Sequence, residues 1–206
     1  MKTYRISRPF LLIATSFFLI TTLISLAFDK TQIHITINSY HHPFADYFFK
    51  YVTYLGDGFL FVPVIVYFTY LKNFKKSLFF SFVAVLTLLV TGLSKSLIFP
   101  NIDRPLSVIG AEHLHLVEGV KIHTKYSFPS GHTTAAFAFW ASLSVFFDRR
   151  TGILFCAIAI LVALSRVYLS QHFLVDVAAG TFLGILIALF GIRFLNFLNK
   201  KNEKTY

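Results

Sequence analysis

The chain alternates between long apolar runs and short polar or charged breaks. Pro9 to Phe28 carries no charge and has roughly the twenty residues that a membrane-spanning helix needs. Phe59 to Leu71 is a second, shorter run, and Ser77 to Phe99 a third, interrupted near its end by Lys95. Ser130 to Phe147, Thr151 to Leu169 and Phe173 to Leu198 are the fourth, fifth and sixth. Lys72 to Lys76 and Asp148 to Arg150 read as tight charged turns. Two connections are longer. Asp29 to Asp57 begins as a loop, but Phe44, Tyr47, Phe48 and Tyr51 recur at helical spacing between Pro43 and Tyr54. That pattern predicts an amphipathic helix at the interface, where tyrosine is favoured, closed by the Leu55–Gly58 turn. Pro100 to Phe128 is the longest polar connection of the second half. The expected architecture is all-α: a six-transmembrane-helix bundle with an interfacial helix between spans one and two, forming one domain over residues 1–206.

Composition fits that reading. Of 206 residues 56% are hydrophobic and only 14% charged, which excludes an ordinary soluble domain. The first run competes with a signal peptide, with Ser25-Leu26-Ala27 as a cleavage match, but it is long for one and is read as a retained span. The single cysteine, Cys156, lies inside an apolar run and has no partner for an intramolecular disulfide.

The formal net charge of +10 invites a nucleic-acid reading. Its placement removes the need for one. Six spans put both termini on one side, together with Lys72, Lys75, Lys76, Arg149, Arg150 and Arg193. The acids on that side are Asp148 and Glu203, and its surplus equals the whole net charge. The other side is neutral. By the positive-inside rule the basic side is cytoplasmic. Lys95, Arg104, Ser130 and the Arg166–Asp176 stretch then fall on the opposite, periplasmic or extracellular, face of what is read as a bacterial inner membrane.

Three clusters of polar residues sit at that outer end. The first is Lys95 with Arg104-Pro105. The second is Pro129-Ser130-Gly131-His132, where Ser130 is a natural N-cap and Gly131 admits close approach to the backbone. The free N–H groups and dipole of a helix start favour an anion, and His132 in that first turn suits proton donation to a leaving oxygen. The third is Ser165-Arg166 with His172 and Asp176. His172 and Asp176 share a helix face at four-residue spacing, so the carboxylate can fix one imidazole tautomer and leave the other nitrogen nucleophilic. Arg166 offers a planar fork for phosphate. Snorkelling explains Lys95 or Arg166 taken singly, and a plain helix cap explains Ser130 to His132. Asp176 inside an apolar run resists such explanations, and an ionisable group there is a functional candidate.

The order Lys…Arg-Pro, Pro-Ser-Gly-His and Ser-Arg-x5-His-x3-Asp resembles the signature of the type 2 phosphatidic acid phosphatase superfamily, membrane lipid phosphatases related to vanadium haloperoxidases. The second and third motifs match at every defined position. The first has a longer spacer than usual, Ser96 to Asp103. The resemblance implies that His172 attacks phosphorus to form a phosphohistidine, that Asp176 orients it, and that His132 protonates the leaving group. Lys95, Arg104, Ser130, Gly131 and Arg166 would hold the phosphate oxygens. It implies a lipid phosphate or pyrophosphate substrate: polyprenyl pyrophosphate, phosphatidic acid, phosphatidylglycerol phosphate or lipid A phosphate. No metal or cofactor is expected, since no glycine-rich nucleotide loop or zinc-type spacing occurs, and no obligatory protein partner is evident. A phosphotransferase using the same histidine and a non-catalytic lipid-phosphate binder or transporter are the alternatives, whereas a vanadate-dependent oxidase is expected to be soluble. The remaining histidines, His34, His41, His42, His113, His115 and His123, read as solvated or headgroup-facing.

Overall fold

Most of the chain is helical in the computed structural model, which describes residues 3–203, without the side chains of 201–203. In chain order the α-helices are α1 (Arg8–Ala27), α2 (Lys30–Ser39), α3 (Pro43–Val52), α4 (Phe61–Tyr70) and α5 (Phe74–Leu93), then α6 (Pro105–Ile109), α7 (Gly131–Ser144), α8 (Arg149–Tyr168) and α9 (Leu174–Glu203). No strand occurs among the described residues. Lys2 and Lys204, part of the charge asymmetry, lie outside them.

Among the described residues, four segments are each long and apolar enough to cross a membrane: Arg8–Ala27, Phe74–Ile98, Arg149–Tyr168 and Leu174–Lys200. The other two expected spans are not single helices of that length. The expected second span and the expected interfacial helix are one bent unit, Pro43–Gly56 with Gly58–Tyr70, broken by 53°, and only together do they reach membrane length. Gly56, Asp57 and Gly58 supply the break. The expected fourth span, α7, has only 14 residues, or about 21 Å against the roughly 30 Å of a hydrocarbon core. Most of its residues are buried against neighbouring helices.

α7 is the element the others enclose. It packs against α5, α8, α9, α1 and the Thr53–Gly56 turn. Its sequence explains why: Ala135, Ala136, Ala138, Ala141, Ser142 and Ser144 are all buried and small. Neighbours approach it backbone to backbone, the usual way helices associate where lipid removes the hydrophobic drive. Gly180 and Gly184 of α9 make that contact, since a Cβ on them would lie 2.8 Å from the Ser130 carbonyl and 2.7 Å from that of Thr134. Outward, α1 and α5 expose Leu12, Leu19, Leu23, Leu88 and Leu89, as a lipid-facing surface should.

The stretch expected as a loop after the first span is α2. Asp29 caps it by accepting from the Thr31 and Gln32 amides. Its fully buried residues are polar, His34 and Asn38, and only Ile33 and Ile37 pack partly against the core, so the apolar stripe that marks a helix in sequence is weak.

Candidate active site

The site is assembled at the ends of α5 and α8 and the starts of α7 and α9, opposite the Lys72–Lys76 and Asp148–Arg150 turns. A cavity of about 390 Å³ there is walled by Lys95, Arg104, Gly131, His132, Arg166 and His172, together with groups from α3 and the Gly119–His123 loop. Three separate stretches of sequence thus meet in one space.

His172 is held by the way α8 ends. Ser170 adopts φ +52°, the left-handed conformation that ends many helices, although it is not a glycine. The chain then folds back, and the Gln171 and His172 amides both donate to the Arg166 carbonyl at 3.0 Å. The nucleophile candidate and the phosphate-fork candidate are therefore tied through one peptide oxygen. α2 secures the strained residue from the side: His34 Nε2 lies 3.1 Å from Ser170 Oγ, and Asn38 Nδ2 donates to the same oxygen at 3.3 Å.

The expected His172–Asp176 pair is present. His172 Nδ1 lies 3.3 Å from Asp176 Oδ2, and both residues are buried. The same carboxylate oxygen accepts from the Phe173 amide at 3.0 Å and from the Ser127 hydroxyl. Burial, reinforced by Arg104, Arg166 and Lys95, holds the His172 pKa well below the ordinary imidazole value, with a Ser127 backbone hydrogen bond working the other way. The imidazole is thereby kept neutral, the form a nucleophile requires.

Arg166 is 7% exposed. Its Nη1 donates to Thr53 Oγ1 at 2.6 Å, and its buried Nε has no protein partner. Arg104 is bound differently. Its Nε donates to the Lys125 carbonyl at 2.8 Å, its Nη1 to both Gln171 oxygens at 3.0 and 3.2 Å, and its Nη2 to the Tyr126 carbonyl at 3.4 Å. Most of its five N–H donors are thus spent on backbone. It brings charge to the cavity and pins the 121–126 loop to the His172 segment. Burial lowers its pKa, with Asp176 opposing.

Lys95 lies in a π-helical turn, Ser94–Ile98, at the end of α5. That turn and the left-handed Asn101 absorb the longer spacer before Arg104. Its Nζ sits 3.9 Å from where a Gly131 Cβ would be. Ser130 stands one layer back. It is fully buried, its Oγ is 2.9 Å from Thr133 Oγ1 and caps α7 at the Thr133 amide, and it is not part of the cavity wall. Asp176 likewise does not line the cavity and sits behind His172.

Three residues at the site carried no motif signal: Thr53, Ser127 and Gln171. Each acts across a long sequence separation, and only the tertiary fold reveals it. The expectation of solvated histidines is corrected for two. His34 is 1% exposed and stacks edge-on against Phe173, with burial lowering its pKa to about 4. His115 stacks on His41 at 4.0 Å and lies 2.9 Å from Asp46.

The family model described as PAP2 superfamily matches residues 76–200, more than half of the chain. "Lipid A 4'-phosphatase" of Porphyromonas gingivalis is 28% identical over 171 residues, covering 78% of this chain and 70% of that protein. "Bacitracin transport permease protein BcrC" of Bacillus licheniformis is 44% identical over 64 residues, 31% of each chain. "Probable lipid phosphate phosphatase beta" of Arabidopsis thaliana is 35% identical over 99 residues, 46% of its own length. This chain therefore spans less than half of those last two relatives. Among solved structures, Aquifex aeolicus LpxE superposes with TM-score 0.67 at 25% identity, over 79% of this chain and 93% of its own. The Bacillus subtilis PAP2-type phosphatidylglycerolphosphate phosphatase superposes with TM-score 0.62 at 21% identity, over 91% and 96%, and shares the fold. The motifs that converge on the cavity, the matched model and the superposed structures agree: this chain is a multi-pass membrane protein that belongs to the PAP2 superfamily.

Proposed function

We propose that the protein is a membrane lipid phosphatase that hydrolyses a lipid phosphate or diphosphate through a phosphohistidine on His172. The observation that carries this reading is the meeting of His172, His132, Lys95, Arg104 and Arg166 in one cavity, with Asp176 behind the histidine. The free nitrogen of His172 attacks phosphorus in line. Asp176 and the Ser127 backbone keep the ring oriented as it becomes cationic. The positive side chains and the Gly131 backbone balance the charge spread over the equatorial oxygens, which is most of what phosphoryl transfer demands. His132 protonates the departing oxygen, then takes a proton from the water that cleaves the phosphohistidine. Neutralisation by fixed cations makes the reaction independent of metal.

The lipid nature of the substrate is supported by a second cavity. A groove of about 480 Å³, lined by Phe59, Phe61, Val62, Val85 and Leu88 between α4 and α5, shares Gly131 and His132 with the polar cavity. An acyl or prenyl chain lying there would present its phosphate at His132, the proton donor. Lipid A phosphates and polyprenyl pyrophosphate head the substrate order. The first follows the relative aligned over most of this chain, the second the family resemblance. The basic turns at the far end support cytoplasmic termini and a site on the opposite face of a bacterial inner membrane.

The test is phosphate release by the detergent-purified protein from lipid A, polyprenyl pyrophosphate, phosphatidic acid and phosphatidylglycerol phosphate, each with a chelator. Chelator-resistant release from at least one supports the reading. Transfer of phosphate to an added lipid alcohol without release of free phosphate would replace hydrolase by phosphotransferase.

A further inference from the structure

The polar cavity holds more cationic side chains than one phosphate group requires. Lys50, Lys95, Arg104, Lys121 and Arg166 all line it, and no Asp or Glu does so among the described residues. The five fall into two tiers. Arg104, Arg166 and Lys95 are the cations that bear on His172. Lys50 and Lys121 form an outer tier. Lys121 is exposed on the 119–123 loop, and Lys50 reaches across from α3 to donate to the Glu118 carbonyl at 2.8 Å. That bond uses one of the three ammonium N–H groups and leaves two. His123 also lines the cavity, within electrostatic reach of Lys121 and of Arg104, Arg166 and Lys95. Carboxylates do not cancel the surplus, because Asp176 and Asp57 act from behind the wall on Lys95, Arg104 and Arg166, the inner cations. The outer tier has no carboxylate in the wall of this cavity; Asp46 and Glu118 share a separate, neighbouring pocket with Lys50, and Lys121 does not line that one.

We propose that Lys50, Lys121 and His123 form a second anion subsite that takes another phosphate group of the same substrate while the scissile phosphate occupies the inner tier. This deepens, and rests on, the phosphatase reading. The ligand class is an amphiphile carrying two phosphate groups. The second group is either the leaving half of a diphosphate or a remote phosphate on the polar headgroup. The outer tier selects by binding, so its contribution appears in KM.

The experiment uses two matched pairs with the full-length protein in detergent: polyprenyl monophosphate against polyprenyl diphosphate, and a mono- against a bis-phosphorylated acyl glucosamine disaccharide. The wild type is expected to favour the doubly phosphorylated member of one pair in kcat/KM, and which pair responds identifies where the second phosphate lies. Lys121→Ala is expected to shrink that preference on the order of tenfold, through KM, consistent with loss of one charge-assisted hydrogen bond. Lys50→Gln should act in the same direction. Arg150→Ala, at the far end of the bundle, should leave the preference unchanged. Equal use of both members by the wild type, or an equal loss on both members in Lys121→Ala, would overturn the subsite while leaving the phosphatase reading intact. Absence of phosphate release from all four lipids overturns both.

Discussion

Arg166 Nη1 donates a 2.6 Å hydrogen bond to Thr53 Oγ1, joining the end of α8 to the helical turn that follows α3. Thr53 belongs to no motif, yet it sets the plane of the guanidinium and so aims the unpartnered Nε. Thr53→Val keeps the shape and removes the acceptor. It should lower kcat/KM on the order of tenfold, mainly through KM, while Thr53→Ser retains most of the activity. Equal kinetics for all three would show that Arg166 needs no such guide.

Asp176 and Ser127 meet at the carboxylate oxygen that faces His172. Asp176→Asn preserves volume but removes the charge that holds the imidazole tautomer. A loss in kcat on the order of 10³-fold is expected with the fold retained, by analogy with other oriented histidines. Ser127→Ala should cost about tenfold, because Asp176 keeps the Phe173 amide. Steady-state kinetics with a thermal melt of each variant checks both.

Lys95 decides whether a longer first motif still builds the site. Its proximity to Gly131 puts its charge where α7 begins. Lys95→Ala should reduce kcat/KM on the order of 10²-fold, as removal of a transition-state cation does. Unchanged kcat and KM would make Lys95 an interfacial anchor only.

Much of this site is legible in the sequence because its chemistry is local. His172 and Asp176 are four apart, Ser130 to His132 are consecutive, and four of the spans announce themselves by length. What the sequence hides is of three kinds. α2 is hard to see because its fully buried residues are His34 and Asn38, polar groups whose Nε2 and amide meet Ser170 and the His115 backbone, while His34 Nδ1 has no partner among the described residues. α7 is shorter than its apolar run suggests, because apolarity reports burial and does not tell lipid from protein. Thr53, Ser127 and Gln171 act at separations of 113, 49 and 67 residues, and no periodicity encodes such pairings.

His34 links the fold to pH. Its pKa lies near 4, lowered by burial from 6.5, so the native state binds its proton less readily than the unfolded state does. The stability it contributes is fully present above pH 6.5 and is lost as pH falls toward 4. At neutral pH the stability difference to an acidified sample is on the order of 3 kcal/mol. Thermal melts in detergent should fall over that window, and His34→Gln should flatten the fall. A wild-type melting temperature constant from pH 7 to pH 4 would exclude His34 as the titrating group.

In the proposed mechanism His172 carries the phosphoryl group. The direct measurement is rapid quenching of turnover with a lipid labelled in its phosphate, followed by digestion and peptide mapping under alkaline conditions. The expected result is an acid-labile, alkali-stable label on the peptide containing His172, formed in the presence of chelator and absent in His172→Ala, which should also release no phosphate. Phosphate release by His172→Ala at the wild-type rate, with no labelled histidine in either protein, would contradict the account.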